Sequence, residues 1–277
     1  MLSSVDGLDA PGYPGACDCH IHVYEEGYPL AASAVSRPPH APLAVYRKIQ
    51  QSLGLSRAIL VQPTAYGADN RCLLAALEQL GLGARGIAVL PAGTDQIELE
   101  RLHRKGIRGV RYIMLAGGVL PWSSLIESAE QCAALGWHIN LQFDGREFPG
   151  RESMLRGLPG RLVIDHTGKF LEPVAPDSAA FAALCRLLDG GRCWVKLSAP
   201  YETSRAGPPH YDDIASLARI LARRYPERCL WGSNWPHPGT ATAPDEAQLL
   251  EWLKSLVDDE ATCRKIWVDN PAELYGF

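Results

Sequence analysis

Nothing in the 277 residues is long and apolar enough to span a bilayer, which takes roughly 20 consecutive apolar positions. The opening MLSSVDGLDAPGYPG has neither the basic nor the apolar stretch of a secretory signal and reads as an arm leading into the fold. No run of Lys and Arg reaches the length of a nucleic-acid patch, and 27 basic against 31 acidic side chains leave a net charge of −4. Eight cysteines, at 17, 19, 72, 132, 185, 193, 229 and 263, form no CxxC pair. Without an export signal they are expected as free thiols in a reducing compartment, which makes the expected location cytoplasmic. Neither nucleic acid nor a membrane is expected as a partner, and the oligomeric state is left open. Heptads, internal repeats, low-complexity tracts and a Pro/Gly/Ser-rich linker are also missing. What remains, 47% hydrophobic and 21% charged positions, is the composition of a globular chain with room for one large core.

Eight short β-rich runs recur, over 15–23, 57–63, 85–91, 106–115, 137–143, 161–167, 192–199 and 228–236. Between them lie helical patterns over 41–54, 69–83, 121–136, 212–226 and 244–257, several opened by Asp, Ser or Pro and closed by Gly. Parallel strands need a crossover, normally a helix, before the next can pair. Strand and helix in eightfold alternation predict an α/β fold, a (β/α)8 TIM barrel of about 250 residues in a single domain. Residues 1–14 are expected as its N-terminal arm, and a last short helix over 258–270 is expected to close its outside. In such barrels chemistry sits at the C-terminal ends of the strands.

Reactive side chains do collect at those ends. Asp18, His20 and His22 alternate along the first strand, so all three are expected on one face, where two histidines can bind a divalent metal or flank a polarised carbonyl. A core histidine bonded to backbone is the plain alternative. The sixth strand ends in Asp165-His166-Thr167-Gly168-Lys169. Alternation places His166 with Ile164 and Leu162, and turns Asp165 the other way to brace a loop. The eighth ends in Trp231-Gly232-Ser233-Asn234-Trp235-Pro236-His237-Pro238, a composition that shapes a rigid loop more than it fills a core.

DxHxH on the first strand, DHTGK after the sixth and WGSxWPHP after the eighth resemble the amidohydrolase superfamily, in the subgroup of 2-pyrone-4,6-dicarboxylate lactonase and galactarolactone isomerase. The likeness extends through VQPTAYGADN, VRYIM, NLQFDG and YETSRAGPPHYDD, over nearly the whole chain. It implies a barrel enzyme acting on lactones or other cyclic esters of small, often carboxylated molecules. The subgroup frequently dispenses with metal, whereas the wider superfamily holds one or two divalent ions.

Two departures bear on the chemistry. The wider superfamily ends strand five with a metal-ligand His, where this chain has Gln142. His138, on the same face, lies about 13 Å back along the strand. The family's strand-eight Asp, a general base for water, is replaced by Asn234, and an amide cannot accept a proton at useful pH. The expectation is therefore a lactone hydrolase needing no metal or other cofactor, with His20, His22 and His166 as the zinc ligands should one be bound. Those three histidines polarise the carbonyl or shuttle protons. Asp69 is the candidate base, though it equally suits an N-cap of the next helix. Arg111 and Arg205 are candidate carboxylate clamps, the latter alternatively a surface ion pair, with Lys169 and Lys196 behind them. Gln142, Tyr66, Ser198, Tyr201 and His237 supply polar groups at the same rim. Asn234 also raises a lactone isomerase, in which the substrate's own hydroxyl replaces water. A catalytically silent barrel that binds a small anion is the third reading.

Overall fold

A computed structural model describes residues 12–277 except Ala241 and Asp258, so most of the expected arm lies outside the described residues. Eight parallel strands form one sheet in chain order. They are β1 (Cys17–Ile21), β2 (Arg57–Val61), β3 (Ala84–Ala88), β4 (Ile107–Ile113), β5 (His138–Gln142), β6 (Arg161–Ile164), β7 (Cys193–Ser198) and β8 (Cys229–Gly232). All eight fall within the runs marked by β-rich composition, to within a residue. Just past β8, the Asn234 N–H donates to the His20 carbonyl and the His22 N–H to the Trp235 carbonyl, both at 2.8 Å. Those two bonds bring the last strand against the first, and the sheet becomes a (β/α)8 barrel.

Crossover helices follow the strands: α1 (Leu43–Ser52), α2 (Arg71–Leu80), α3 (Gln96–Arg104), α4 (Leu125–Ala134), α5 (Phe148–Gly157), α6 (Ala179–Asp189), α7 (Asp212–Arg224) and α8 (Glu246–Lys254). The segments that became α3, α5 and α6 carried no helical expectation. α6 reads as a nearly unbroken apolar run, AAFAALCRLLD, with seven buried residues, so its period is hidden. Its start is set by Ser178, whose Oγ accepts from the Phe181 N–H at 3.2 Å.

Strand alternation sorts the core into two layers. Ile59, Val61, Ile87, Val163, Trp194 and Leu230 fill the barrel. Leu60, Val110, Tyr112, Ile139, Leu141, Leu162, Ile164, Val195 and Leu197 face outward under the helices. Each such side chain stabilises the fold by about 1.5–3 kcal/mol through removal from water.

The tail does more than cover the outside. α9 (Glu260–Arg264), a wide π-type turn over 265–269 and α10 (Asn270–Tyr275) carry Leu274 and Tyr275 into the inner cluster with Cys17 and Cys19. The C-terminus thus plugs the end of the barrel opposite the strand tips, where the Phe277 ring sits 4.8 Å from Arg57 and 4.6 Å from Arg85. All eight cysteines are free. No helix among the described residues is long and apolar enough to cross a membrane.

Candidate active site

A polar layer replaces the apolar filling at the top of the barrel. Five strands feed it: His20 from β1, Arg111 from β4, Asn140 from β5, Lys196 from β7, and Asp165 just past β6, all buried. Lys196 Nζ donates to Asn140 Oδ1 at 2.7 Å and lies 3.1 Å from both His20 Nδ1 and Asp165 Oδ1. Asn140 Nδ2 donates to Asp165 Oδ2 at 2.8 Å, and an Arg111 Nη stands 3.7 Å from the same oxygen. Burial opposes the ionisation of Asp165, but the Lys196 ammonium outweighs it and holds the carboxyl well below its usual range.

Two expectations about side-chain direction are corrected here. Asp18 does not share a face with His20 and His22. The register of β1 against β2 shifts between Asp18 and Ile21, an irregularity that turns His20 inward past Cys19. Asp18 instead accepts from the Ser233 N–H (2.9 Å), Ser233 Oγ (2.6 Å) and Tyr46 of α1 (3.2 Å), tying β1 to β8 and to the helix layer. Burial raises its pKa to about 6. Asp165, expected to point away and brace a loop, points into the barrel with Val163, whereas Leu162 and Ile164 face the helices. His166 reaches the site only because alternation ends there. His166, Thr167 and Lys169 all take left-handed backbone conformations, with φ of 53°, 54° and 49°.

Above this layer opens a cavity of about 460 Å³, walled by His22, Tyr24, Thr64, Arg111, Ile113, Gln142, His166, Lys169, Glu202 and Asn234 among others. His22 Nδ1 bonds the Val61 carbonyl at 2.7 Å, and its Nε2 is 3.2 Å from His20 Nε2. His166 Nδ1 is 3.0 Å from Ser198 Oγ, which leaves Nε2 toward the cavity, 3.9 Å from Glu202. Burial drives all three histidines toward the neutral form: His20 and His22 fall well below their usual value, and His166 falls to about 4. Arg111 donates to the Gln62 carbonyl at 2.7 Å and to Gln142 at 3.0 Å, which fixes the guanidinium in the wall.

Glu202, four residues beyond β7, is the carboxylate that sequence reading passed over. It pairs with Lys169 and accepts from Asn234 Nδ2 at 3.2 Å. Burial works against its charge, yet His166, Lys169 and Arg111 keep its pKa below the usual value. The strand-end rule that nominated Asp69 points equally to Glu202. Lys196, expected behind the arginines as a carboxylate clamp, lies instead beneath the cavity with Asn140, His20 and Asp165 as its partners.

Other expected residues lie apart. Asp69 does not wall the cavity; its carboxylate is held by Arg71 at 2.6 Å and accepts from the Arg71 N–H, one residue ahead of the N-cap position of α2, which is Asn70 and makes no side-chain cap bond. Arg205 has 72% of its side chain exposed and pairs with Glu172 at 3.6 Å, so it is a surface ion pair rather than a clamp. Tyr66 donates to the Glu25 carbonyl at 3.2 Å, behind Tyr24. Tyr201 and His237 form the wall behind Asn234: Asn234 Nδ2 donates to Tyr201 Oη at 2.9 Å, and Tyr201 Oη is 2.8 Å from His237 Nδ1.

With this geometry, comparison with known proteins is specific. The model of the Amidohydrolase family matches residues 17–277. The chain belongs to the amidohydrolase family. It is 36% identical to D-galactarolactone isomerase of Agrobacterium fabrum, over 96% of this chain and 92% of that one. It is 33% identical to 2-pyrone-4,6-dicarboxylate hydrolase of Comamonas testosteroni, over 94% and 90% of the two chains. An apo crystal structure from Agrobacterium tumefaciens superposes with a TM-score of 0.91 at 35% identity, covering 96% of this chain and 98% of that one. Within this amidohydrolase the polar layer and the cavity above it stand at the strand tips, where the fold places chemistry.

Proposed function

We propose that the chain hydrolyses the lactone ring of a small carboxylated molecule, and does so without a resident metal. The observation that carries the substrate class is the charge of the cavity floor. Arg111 and Lys196 are two buried cations facing one buried carboxylate, Asp165, and the Lys169–Glu202 pair adds no net charge. A floor with an uncompensated positive charge stabilises an anionic ligand, and most strongly out of water.

The metal of the wider superfamily does not fit this donor set. His20, Asp165 and His166 do lie within 4.8 Å of one another. Yet the only carboxylate of the three is already paired with Lys196 and flanked by Arg111, and His20 Nδ1 receives the Lys196 ammonium. The strand-five and strand-eight positions offer the amides Gln142 and Asn234, which are poor ligands for zinc.

In the proposed reaction, Glu202 takes a proton from water as the oxygen attacks the lactone carbonyl carbon. The developing oxyanion is stabilised by Arg111 and by His166 donating from Nε2, the tautomer favoured when Ser198 Oγ donates to Nδ1. The ring C–O bond then breaks, and the proton held by Glu202 passes to the leaving oxygen. A substrate carboxylate drawn to Lys169 competes with Glu202 for the ammonium, which leaves Glu202 the stronger base. The test is steady-state turnover of a panel of lactones with and without a ring carboxylate. Carboxylated members are expected to have kcat/KM at least about 100-fold higher, the effect of one charge-assisted contact or two; equal values across the panel would contradict the reading.

Asn234 favours a second reading. Its side chain donates to both Tyr201 and Glu202, so the strand-eight position orients neighbours and supplies no base for water. The same Glu202 can deprotonate a hydroxyl of the substrate itself, and attack by that oxygen changes the ring size instead of opening it to an acid.

A further inference from the structure

Lys196 is fully buried in the barrel, and the direction of every hydrogen bond that runs from it can be worked out. An ammonium has donors and no acceptor, so His20 Nδ1, 3.1 Å away, accepts from it; the same nitrogen stands 3.4 Å from Asp165 Oδ1, a longer contact that the opposite tautomer would use. A neutral His20 then carries its proton on Nε2, and the atom opposite, His22 Nε2 at 3.2 Å, must accept in turn. His22 is left with its proton on Nδ1, facing the Val61 carbonyl at 2.7 Å. A carbonyl oxygen accepts only, so the far end of the chain demands the same order that the near end imposes. The two ends agree independently.

We propose that Lys196 is a positioning residue that locks the proton order of the His20–His22 pair and holds, against His20 and Asp165, the place a divalent cation would take. Both ring protons are spent within the chain, His20 Nε2–H on His22 and His22 Nδ1–H on the Val61 carbonyl, and the lone pairs are spent on Lys196 and His20. Neither ring then has an N–H free to polarise a lactone carbonyl, which leaves His166 as the imidazole that donates toward substrate. The pair instead forms a rigid wall under the cavity, and Lys196 supplies the positive charge that keeps Asp165 ionised beneath it.

The test uses the whole chain and no substrate, so it stands or falls separately from the lactone reading. Long-range proton–nitrogen spectra of the wild-type histidine rings at pH 7 should show His20 protonated at Nε2 and His22 at Nδ1, and cobalt(II) added in equimolar amount should not bind these rings. In Lys196→Met the fixed order of His20 should be lost, and the variant should take up one cobalt(II) per chain, read from its visible bands. A wild-type His20 protonated at Nδ1, or wild-type cobalt binding through these rings, would overturn the proposal. So would a folded Lys196→Met chain that keeps the wild-type pattern or refuses the metal. If Lys196→Met fails to fold, the two wild-type measurements still decide.

Discussion

Glu202 and Arg205 lie three residues apart in one loop, and their surroundings separate them. The Glu202 carboxylate is enclosed by Lys169, Asn234 and the His166 ring, while the Arg205 guanidinium stands in solvent beside Glu172. An exposed pair of that kind is worth little. Arg205→Ala should therefore leave kcat and KM within about twofold, whereas Glu202→Gln, which keeps the shape and removes the base, should lower kcat by about 100-fold or more. Steady-state kinetics of the two variants on one lactone checks both; a Glu202→Gln enzyme with full kcat would remove Glu202 from the chemistry. Residue type alone did not separate these two positions. Glu202 and Asp69 are both acids past strand tips, and only the fold reveals that one is turned to the cavity and the other to Arg71.

The elements that build the site are those where regular geometry breaks. Every non-glycine residue with positive φ among the described residues lies past β6, β7 or β8: His166, Thr167, Lys169, Ala199, Tyr211, Asn234 and His237. Strain of this kind persists where surrounding contacts over-determine it, and here it aims His166 and Asn234 at one point. This is why the eight strands were legible in the sequence while the directions of Asp18 and His166 were not. Period-two alternation is a property of regular strands, and it fails at the β1 irregularity and beyond Asp165; Asp165 itself alternates with Ile164, and only the fold shows that its face is the inner one. Gly232 shows how closely β8 meets β1. A Cβ there would stand 2.8 Å from His20 Cβ and 2.9 Å from the His20 nitrogen. Gly232→Ala must push β1 away, and should cost about 1–3 kcal/mol of stability, read by urea denaturation, together with most of the activity. A variant with unchanged midpoint and turnover would show that the β1–β8 seam is looser than this packing implies.

At the scale of the molecule, the buried histidines set the response to acid. His20, His22, His138 and His166 are all held below their usual value of 6.5 by burial, His166 to about 4 and His138 to about 3. The folded chain therefore binds fewer protons than the unfolded one as pH falls from 6.5, and its stability declines through that window. Asp18 acts in the opposite sense. Raised from 3.8 to about 6, it makes the folded chain bind more protons between those values, so its contribution falls as pH rises. Four groups outweigh one, and the thermal midpoint should climb from pH 4 to 6.5 and flatten above; a midpoint that falls across that interval would contradict the assignment of neutral histidines.

The central claim is that this floor of fixed cations and neutral imidazoles directs a hydroxyl oxygen at a carboxylated lactone. Turnover of such lactones in oxygen-18 water, on protein whose metal content has been measured after chelation, tests it most directly. The account predicts full activity in metal-free protein and one solvent oxygen in the carboxyl group of the ring-opened product. A product of altered ring size with no solvent oxygen would transfer the account to the isomerase reading, with Glu202 still the base. Activity that disappears with the metal and returns on its addition would contradict it outright, and would make the histidines ligands after all.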